Sequence, residues 1–355
     1  MPQLLIYLIP AAVLVFLAAA ELLSLRVDPN QIRVRCETDM RLTEPDEAAV
    51  LRFQVQNSSR LPLLFVSFSL RFSDSVELRE DEGWRKAHQV GGALAPTYLW
   101  RISLPPRRGF RGRLRFSLKE RGLHELGKVY LETVDFFGFR SRVRSFDMGV
   151  RLVCTARSLG EAPGLLPLGG FLGDLSVRRF ILEDPSLILG YRDYSGAEAM
   201  KHISWLQTAR RGRLTVKNHD FTVDADVRVL LNMERCAEET AERCLSLLRT
   251  VCDALEARHI PYSVGSNGDL FETARGIGRK HSFEVQRRIG LSRFVRYRDF
   301  GELLAAWARP GFSRLGCIVV APRTSPALSG ALARLEAASG VRVCLLAGEE
   351  AREDA

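Results

Sequence analysis

The sequence lacks the motifs by which several classes of protein are recognised. Its seven cysteines are odd in number and form no C-x-x-C pair, which argues against a zinc ribbon and a complete disulfide framework. No G-x-S-x-G nucleophile elbow and no G-x-x-x-x-G-K-[ST] phosphate loop occurs in the 355 residues. Buried free thiols in a reducing compartment are the interpretation that fits these cysteines best.

Positive charge is what the sequence has in excess. Its 51 Lys and Arg outnumber 42 Asp and Glu, for a formal net charge of +9, while its hydrophobic share of 46% is ordinary for a globular protein. A solvated basic surface is the simpler interpretation, and contact with an acidic protein, anionic lipid or nucleic acid is the alternative. Nucleic acid is disfavoured because aromatic residues do not interleave with the cations.

An apolar run covers residues 4–25, and no Lys or Arg precedes it. About twenty apolar residues span the hydrocarbon core of a bilayer as a helix, so residues 1–29 are predicted to be a single transmembrane anchor. A cleaved signal peptide is the competing interpretation, but its n-region normally carries a cation. Arg26, Arg33, Arg35 and Arg41 follow the run. By the positive-inside rule, they predict a single-pass inner-membrane protein with its bulk in the cytoplasm.

Residues 30–155 show short runs in which apolar and polar residues alternate. The clearest runs are 50–57, 64–72, 114–118 and 129–134. Alternation of period two with turn residues between the runs predicts an antiparallel β-sandwich with one solvated face. Arg111, Arg113 and Arg115 would share such a face. Solvation is the preferred interpretation of these arginines, and contact with phosphate or a lipid headgroup is the alternative.

The second half of the chain changes from a linker to an α/β pattern. Residues 160–173 are rich in Gly, Pro and Leu and are interpreted as a linker, within a linker and motif region over 156–225. Residues 226–355 alternate strands with helices, which predicts a parallel sheet covered on both faces. The predicted strands are 227–232, 261–264, 317–321 and 341–346, and the predicted helices are 241–255, 283–289, 300–308 and 326–338.

The densest motif lies between these halves, over residues 189–217. It combines tyrosines, a tryptophan and several cations. Residues 197–210 are predicted to form a helix that packs through Met200, Ile203 and Leu206, with Gly212 ending it and 213–217 forming a strand. Tyr194 and Trp205 are interpreted as packing anchors, with exposed binding residues as the alternative.

This motif resembles the signature of a MoxR-associated family catalogued as domain of unknown function 58. That signature reads approximately R-x-Y-x-x-G-D-x-x-R-x-I-x-W-x-x-[ST]-A-R-x-x-x-L-x-V-[KR]. Eleven positions match in register, with Lys201 standing for Arg, and Gly196 stands one position before the glycine of the signature. The positions are Arg192, Tyr194, Gly196, Lys201, Ile203, Trp205, Thr208, Ala209, Arg210, Leu214, Val216 and Lys217. Ala197 follows Gly196 in place of the usual aspartate. Residues 120–127 and 135–139 also resemble a conserved passage of that family, with Phe136 in place of proline.

The resemblance implies a β-rich middle, a von Willebrand A-like α/β domain and a role without catalysis. Members of the family are thought to act as membrane-tethered adaptors of MoxR-type AAA+ ATPases that help to assemble or activate other proteins. We therefore expect a non-enzymatic adaptor without a cofactor, whose partner-binding residues are those of the signature. One departure is the single N-terminal span, since relatives often carry a pair.

A von Willebrand A domain that binds Mg²⁺ uses D-x-S-x-S after its first strand. The aligned positions here are Asn232, Glu234 and Cys236, which lack the hydroxyl pair, so a degenerate site without metal is expected. A metal-dependent adhesion domain is kept as an alternative. The other alternative is a hydrolase with a site between the domains, although His202 has no acidic neighbour one helical turn away except Glu198.

Two further features are weak signals. Residues 276–280 hold two glycines and two cations without the spacing of a phosphate loop. The cations between Arg279 and Arg298 are interpreted either as a solvated helix face or as a surface for an acidic partner, and the sequence does not separate the two.

Overall fold

The structure is a computed structural model with two compact units, Met1–Thr155 (unit 1) and Ala156–Ala355 (unit 2). It describes residues 2–26, 29–72, 75–79, 85–87, 97–160, 165–196, 198–221, 226–270, 272–307 and 316–349.

Unit 1 begins with helix α1, Pro2–Leu25. The window Leu8–Leu25 is long and apolar enough to cross a membrane, and none of it is buried in the protein. A signal sequence would meet the same test, so the helix shows that a membrane span is feasible and no more.

Unit 1 continues as antiparallel sheets that enclose one core. The first sheet has the order β1 (Ile32–Thr38), β3 (Ala49–Asn57), β8 (Gly109–Leu118) and β5 (Val76–Arg79). The second has the order β11 (Ser141–Asp147), β10 (Lys128–Val134), β4 (Leu63–Arg71), β7 (Thr97–Leu104) and β6 (Arg85–Ala87). A small third sheet has the order β2 (Leu42–Thr43), β12 (Arg151–Cys154) and β9 (Gly122–Glu125), with β2 and β12 parallel.

Alternating burial along the strands builds the core of unit 1. In β3, for example, Leu51 and Val55 are buried while Arg52 and Gln54 are exposed. Inward residues of both large sheets join one hydrophobic cluster, so the predicted sandwich-like arrangement of antiparallel sheets is confirmed. Burying alternate residues is what fixes the register of each strand, because a slip of one residue would expose the apolar set.

Unit 2 contains a parallel sheet with the order β16-β15-β17-β18. Its strands are β15 (Val227–Leu231), β16 (Tyr262–Ser266), β17 (Gly316–Ala321) and β18 (Val343–Ala347). Its helices are α4 (Glu238–Ala257), α5 (Arg279–Leu291), α6 (Phe300–Trp307) and α7 (Pro326–Ser339). One face of the sheet packs in a cluster with α4 and α5 and the other in a cluster with α6 and α7. The prediction of a parallel sheet covered on both faces is therefore confirmed.

The linker predicted over residues 160–173 is wrong from residue 166 onward. Helix α2 covers Leu166–Leu182 and buries Leu168, Phe171, Leu172 and Leu175 in the core of unit 2. Their spacing of i, i+3, i+4 and i+7 is that of one helical face. The glycines at 169, 170 and 173 are exposed and contact nothing beyond the helix, so they weaken the helix without preventing it.

The signature segment differs from the single predicted helix. Strands β13 (Glu183–Asp193) and β14 (Thr215–Phe221) pair antiparallel. Between them lie a 3₁₀ turn, Met200–His202, and a short helix α3, Trp205–Arg211. Extended backbone at Ile203 and Ser204 separates the two. Gly212 ends α3 in the left-handed conformation, as predicted, whereas Ala197 lies outside the described residues.

Candidate functional site

The signature segment folds back on its own strand pair. Arg192 lies opposite Val216 in the β13–β14 ladder, and Tyr194 N donates to Leu214 O at 3.0 Å. Beyond the ladder, Ser204 N donates to Thr215 O at 2.8 Å, which draws the chain before α3 back against β14. The segment is therefore held as a compact loop by backbone hydrogen bonds.

A small buried centre fixes this loop. Ile203 forms an isolated bridge with Val216, and both side chains are buried. Thr208 Oγ1 accepts a hydrogen bond from Thr215 N at 3.1 Å, so α3 is tied to the first residue of β14. Of the apolar signature residues between the two strands, Ile203 is the one that performs the predicted packing.

The large apolar side chains around this centre face solvent. Trp205 is 60% exposed, Met200 67% and Leu206 64%. The predicted packing through Met200 and Leu206 is wrong, and Trp205 is not a buried anchor, because the break at Ile203 turns these residues outward. Tyr194 is half-buried, with its hydroxyl 3.5 Å from Gly196 O. Gly196 has a φ of 94°, consistent with the predicted turn.

Cations of the signature belong to the same short segment as these exposed residues. Lys201, Arg210 and Arg211 are exposed, Ala209 beside them is exposed as well, and Lys217 is half-buried. We call Met200, Trp205, Leu206, Arg210 and Arg211 the signature surface. It combines an apolar patch with positive charge, a combination enriched where proteins bind one another.

Glu198 is a functional candidate that the sequence analysis missed. Its carboxylate accepts hydrogen bonds from Ser195 Oγ at 2.8 Å and Ser195 N at 3.0 Å, and it pairs with Arg192. These contacts, with the Ser195 hydroxyl first among them, lower the pKa of Glu198 to about 2. Counted in register from Arg192, Glu198 stands at the aspartate position of the signature, so the motif keeps a carboxylate there and the departure assigned to Ala197 is wrong. The spacing of Ser195 and Glu198, which is that of a capping box, was the available signal.

Replacing Ser195 with alanine should raise the pKa of Glu198 toward its ordinary value of 4.5 without reaching it, because the Ser195 N–H and Arg192 remain. In the parent, the folded pKa lies below the unfolded one. Ionised Glu198 therefore stabilises the motif above pH 4.5, and this contribution is lost as the pH falls toward about 2. An NMR titration of ¹³C-labelled glutamate carboxyls measures both values.

The control for this titration is Ser329→Ala on the exposed side of α7, which should leave the Glu198 titration unchanged. A parent Glu198 that titrates near 4.5 would show that the hydrogen bonds from Ser195 and Arg192 do not hold in solution.

Two of the three residues aligned with a metal site, Asn232 and Glu234, are engaged by side chains of the same unit. Asn232 follows β15 and its Oδ1 accepts from Asn267 Nδ2 at 3.3 Å. The Glu234 carboxylate accepts from Arg323 Nη2 at 3.2 Å. Cys236 is half-buried, and burial, Glu349 and Glu234 raise the pKa of its thiol. Within the described ranges, no three His, Cys, Asp or Glu side chains are grouped so that they could hold a metal ion. The residues present do not fit Mg²⁺, whose octahedral shell needs several free oxygens.

The N-terminus of α5, next to the weak phosphate-loop candidate, is also occupied by the protein itself. Gly278 N donates to both carboxylate oxygens of Glu256, at 2.9 and 3.2 Å. An anion at this helix end would have to displace that carboxylate. On α5, Arg287 and Arg288 pair with Glu284. These contacts favour a solvated helix face for this pair of cations.

Unit 2 also holds two packed ionisable side chains, of which Tyr262 is closed to solvent and His281 is half-buried. The rings of Tyr262 and His281 lie 4.7 Å apart, and Tyr262 is fully buried. Burial raises the pKa of Tyr262 and lowers that of His281, so both are neutral near neutral pH. A substrate could not reach the Tyr262 hydroxyl, and this cluster contributes to packing.

In unit 1, Arg111, Arg113 and Arg115 lie on the outward face of β8 and are exposed, as predicted. Arg113 is opposite Arg52 in the ladder, and Arg111 is opposite Gln54. The face is solvated and basic.

Comparisons with known proteins give no family. No family model matches the chain, and no curated protein matches it. Among solved structures, the chain is similar to the CARDB domain of the PF1109 protein of Pyrococcus furiosus at 12% identity, covering 35% of this chain and 86% of that one with a TM-score of 0.21. A cohesin module of a Clostridium perfringens family 33 glycoside hydrolase is 8% identical, with 35% of this chain and 96% of that one covered and a TM-score of 0.24. The Bacillus cereus major pilin subunit BcpA is 6% identical, with 36% of this chain and 41% of that one covered and a TM-score of 0.25. Similarity at this level carries no argument about function.

Proposed function

We propose that this chain is a non-enzymatic, membrane-anchored adaptor that binds a MoxR-type AAA+ ATPase and helps to assemble or activate other proteins. The partner class comes from the resemblance of residues 192–217 to the family signature. The observation that carries the proposal is the exposure of Trp205, Met200 and Leu206 beside Arg210 and Arg211.

Exposed side chains of this size support a role in recognition. Single exposed apolar residues are normal on a protein surface. Several large ones in one short motif, whose buried centre is small, indicate a binding surface. Tryptophan and arginine are also the residues most often found where binding energy concentrates. The basic surroundings favour a partner surface that is acidic around an apolar groove.

The anchor in this proposal is α1. Its apolar window and the arginines that follow it support a single span of the inner membrane with both units in the cytoplasm. We further propose that unit 2 is von Willebrand A-like and lacks the metal. Four parallel strands with helices on both faces support the fold, and the Glu234–Arg323 ion pair supports the absence of Mg²⁺.

A pull-down from detergent extract tests the partner. The tagged full-length chain should recover a MoxR-type ATPase of its own organism, and Trp205→Ala or Arg210→Ala should each reduce the recovered amount about tenfold or more, because each removes a central side chain of the interface. Arg334→Ala, which removes an exposed cation from α7, is the matched control and should recover as much as the parent.

Two results would count against the proposal. Equal recovery by the parent, Trp205→Ala and Arg210→Ala would exclude the signature surface as the interface. Failure of the parent to recover any such ATPase would reject the partner class itself.

A further inference from the structure

The end of α1 is joined to one turn of unit 1. Ser24 Oγ accepts a hydrogen bond from Phe136 N at 3.1 Å, and Glu21 Oε2 accepts from Phe137 N at 3.2 Å. Arg142 Nη2 donates to Leu25 O at 3.3 Å. The turn between β10 and β11 therefore lies beside the last turns of the apolar helix.

This turn exposes apolar side chains that add little to the core of unit 1. Phe139 is 82% exposed, and Phe137 and Val143 are exposed as well. Phe65 lies opposite Val134 on the adjacent strand and is also exposed. The rings of Phe137 and Phe139 are 5.8 Å apart, so they form one cluster. Four large exposed apolar side chains at one end of a unit require an explanation.

Arginines lie at the same end. Asn57 Nδ2 donates to Leu61 O, Leu104 O and Pro105 O, which brings two further turns of the sandwich together. Ser24 of α1, Pro62 of the turn between β3 and β4, and Arg140 of the turn between β10 and β11 line one cavity. The turns of the sandwich joined by Asn57 therefore lie at the α1 end of unit 1. The exposed cations that these three turns carry are Arg60, Arg107, Arg108 and Arg140.

Two acidic groups at this end accept backbone hydrogen bonds, and a third, Glu132, is half-buried and lines a cavity together with Phe65 and Phe137. Glu21 accepts from Phe137 N, and Asp135, which is buried, accepts from Arg140 N at 2.9 Å. Among the residues described here, the four exposed arginines outnumber these three carboxylates, so the charge at this end is positive on balance. Phenylalanine and other apolar side chains next to arginines are the composition of segments that lie in the headgroup region of a membrane.

We propose that this end of unit 1, with Phe65, Phe137 and Phe139 and the four arginines of its turns, contacts the headgroup layer of an anionic membrane. The inference rests on the proposed function in one respect, which is that α1 spans the bilayer. Because Glu21 lies in the last turns of α1, a span ending at Leu25 places the Phe137 turn at headgroup level. Each arginine near an anionic leaflet adds electrostatic attraction to the lipid headgroups. The contact holds unit 1 against the membrane rather than letting it hang from a flexible tether.

Quenching by brominated lipids tests the contact in the full-length chain. Phe139→Trp is reconstituted in phosphatidylcholine–phosphatidylglycerol vesicles with or without bromine on the acyl chains. The parent, with its four tryptophans, gives the background. We expect brominated lipid to remove most of the emission that the new tryptophan adds. The matched control is Leu123→Trp on β9, where the parent leucine is 54% exposed. Gly109 begins β8 at the α1 end of unit 1, whereas β9 follows the other end of β8, so the tryptophan at position 123 should keep its emission.

The possible results distinguish failure of the interfacial contact from failure of the proposed membrane span. Vesicle flotation of the parent reports the anchor, and a chain that does not float with the vesicles would reject the span. A floating Phe139→Trp chain that is quenched no more than Leu123→Trp would overturn the interfacial contact alone. Emission that depends on the protein-to-lipid ratio but not on bromine would also overturn it, in favour of a second copy of this chain covering the aromatic cluster.

Discussion

Replacing Leu172 with alanine should lower the free energy of unfolding of unit 2 by about 2–5 kcal/mol. Leu172 is 2% exposed and packs in the core cluster that contains Phe171 and Leu175. The substitution removes buried methyl groups and leaves a cavity that the surrounding close-packed core fills only in part. Urea unfolding of the full-length chain in detergent, followed by tryptophan fluorescence with Trp84, Trp100 and Trp205 replaced by phenylalanine in both chains so that Trp307 reports on unit 2, measures the loss.

The control for this prediction is Gly169→Ala on the exposed side of the same helix. A Cβ at Gly169 would contact nothing beyond the helix, so alanine should raise stability by roughly 0.5–1 kcal/mol through helix propensity. If residues 166–182 were a linker, neither substitution would change the free energy of unfolding. Two variants with the stability of the parent would therefore show that residues 166–182 do not form a packed helix in solution.

Replacing Gly268 with alanine should also destabilise unit 2, by about 3 kcal/mol or more, because a Cβ there is overpacked against backbone. It would lie 2.1 Å from Val295 O and 2.3 Å from Met233 Sδ. The backbone cannot move away cheaply, since Gly268 forms a bridge with Arg296 and Asp269 N donates to Val295 O at 3.0 Å. Thermal unfolding of the purified full-length chain measures the effect.

Gly330→Ala on α7 is the matched control for Gly268→Ala. Nothing lies near a Cβ at Gly330, which is exposed within a helix, so the change should be neutral or stabilising by roughly 0.5–1 kcal/mol. Equal melting temperatures for Gly268→Ala and the parent would mean that the loop after β16 packs differently from the arrangement described above.

Periodicity was enough to predict the regular elements. The apolar strands of the parallel sheet and the three- and four-residue spacing in α4 are strong local signals, and the structure confirms both. Helix α2 was missed although its apolar residues have helical spacing. Its three glycines and the proline at 167 are typical of a linker, and they led to the wrong prediction. The helix forms because its apolar face is buried in the core of unit 2.

The candidate site was predictable only in part. The resemblance located residues 192–217, but exposure of Trp205 depends on the break at Ile203, which the pairing of Ile203 with Val216 sets. The contact of Asn232 with Asn267 joins residues 35 apart in sequence, and the ion pair of Glu234 and Arg323 joins residues 89 apart. No local pattern encodes such contacts. They depend on the order of strands in the sheet.

The affinity of the purified full-length chain for a purified MoxR-type ATPase tests the central claim most directly. We predict that the parent binds, that Trp205→Ala raises Kd about thirtyfold or more, as expected for loss of about 2 kcal/mol at a binding hot spot, and that Arg334→Ala leaves Kd unchanged. A Trp205→Ala chain that is folded and binds with the Kd of the parent would contradict the account.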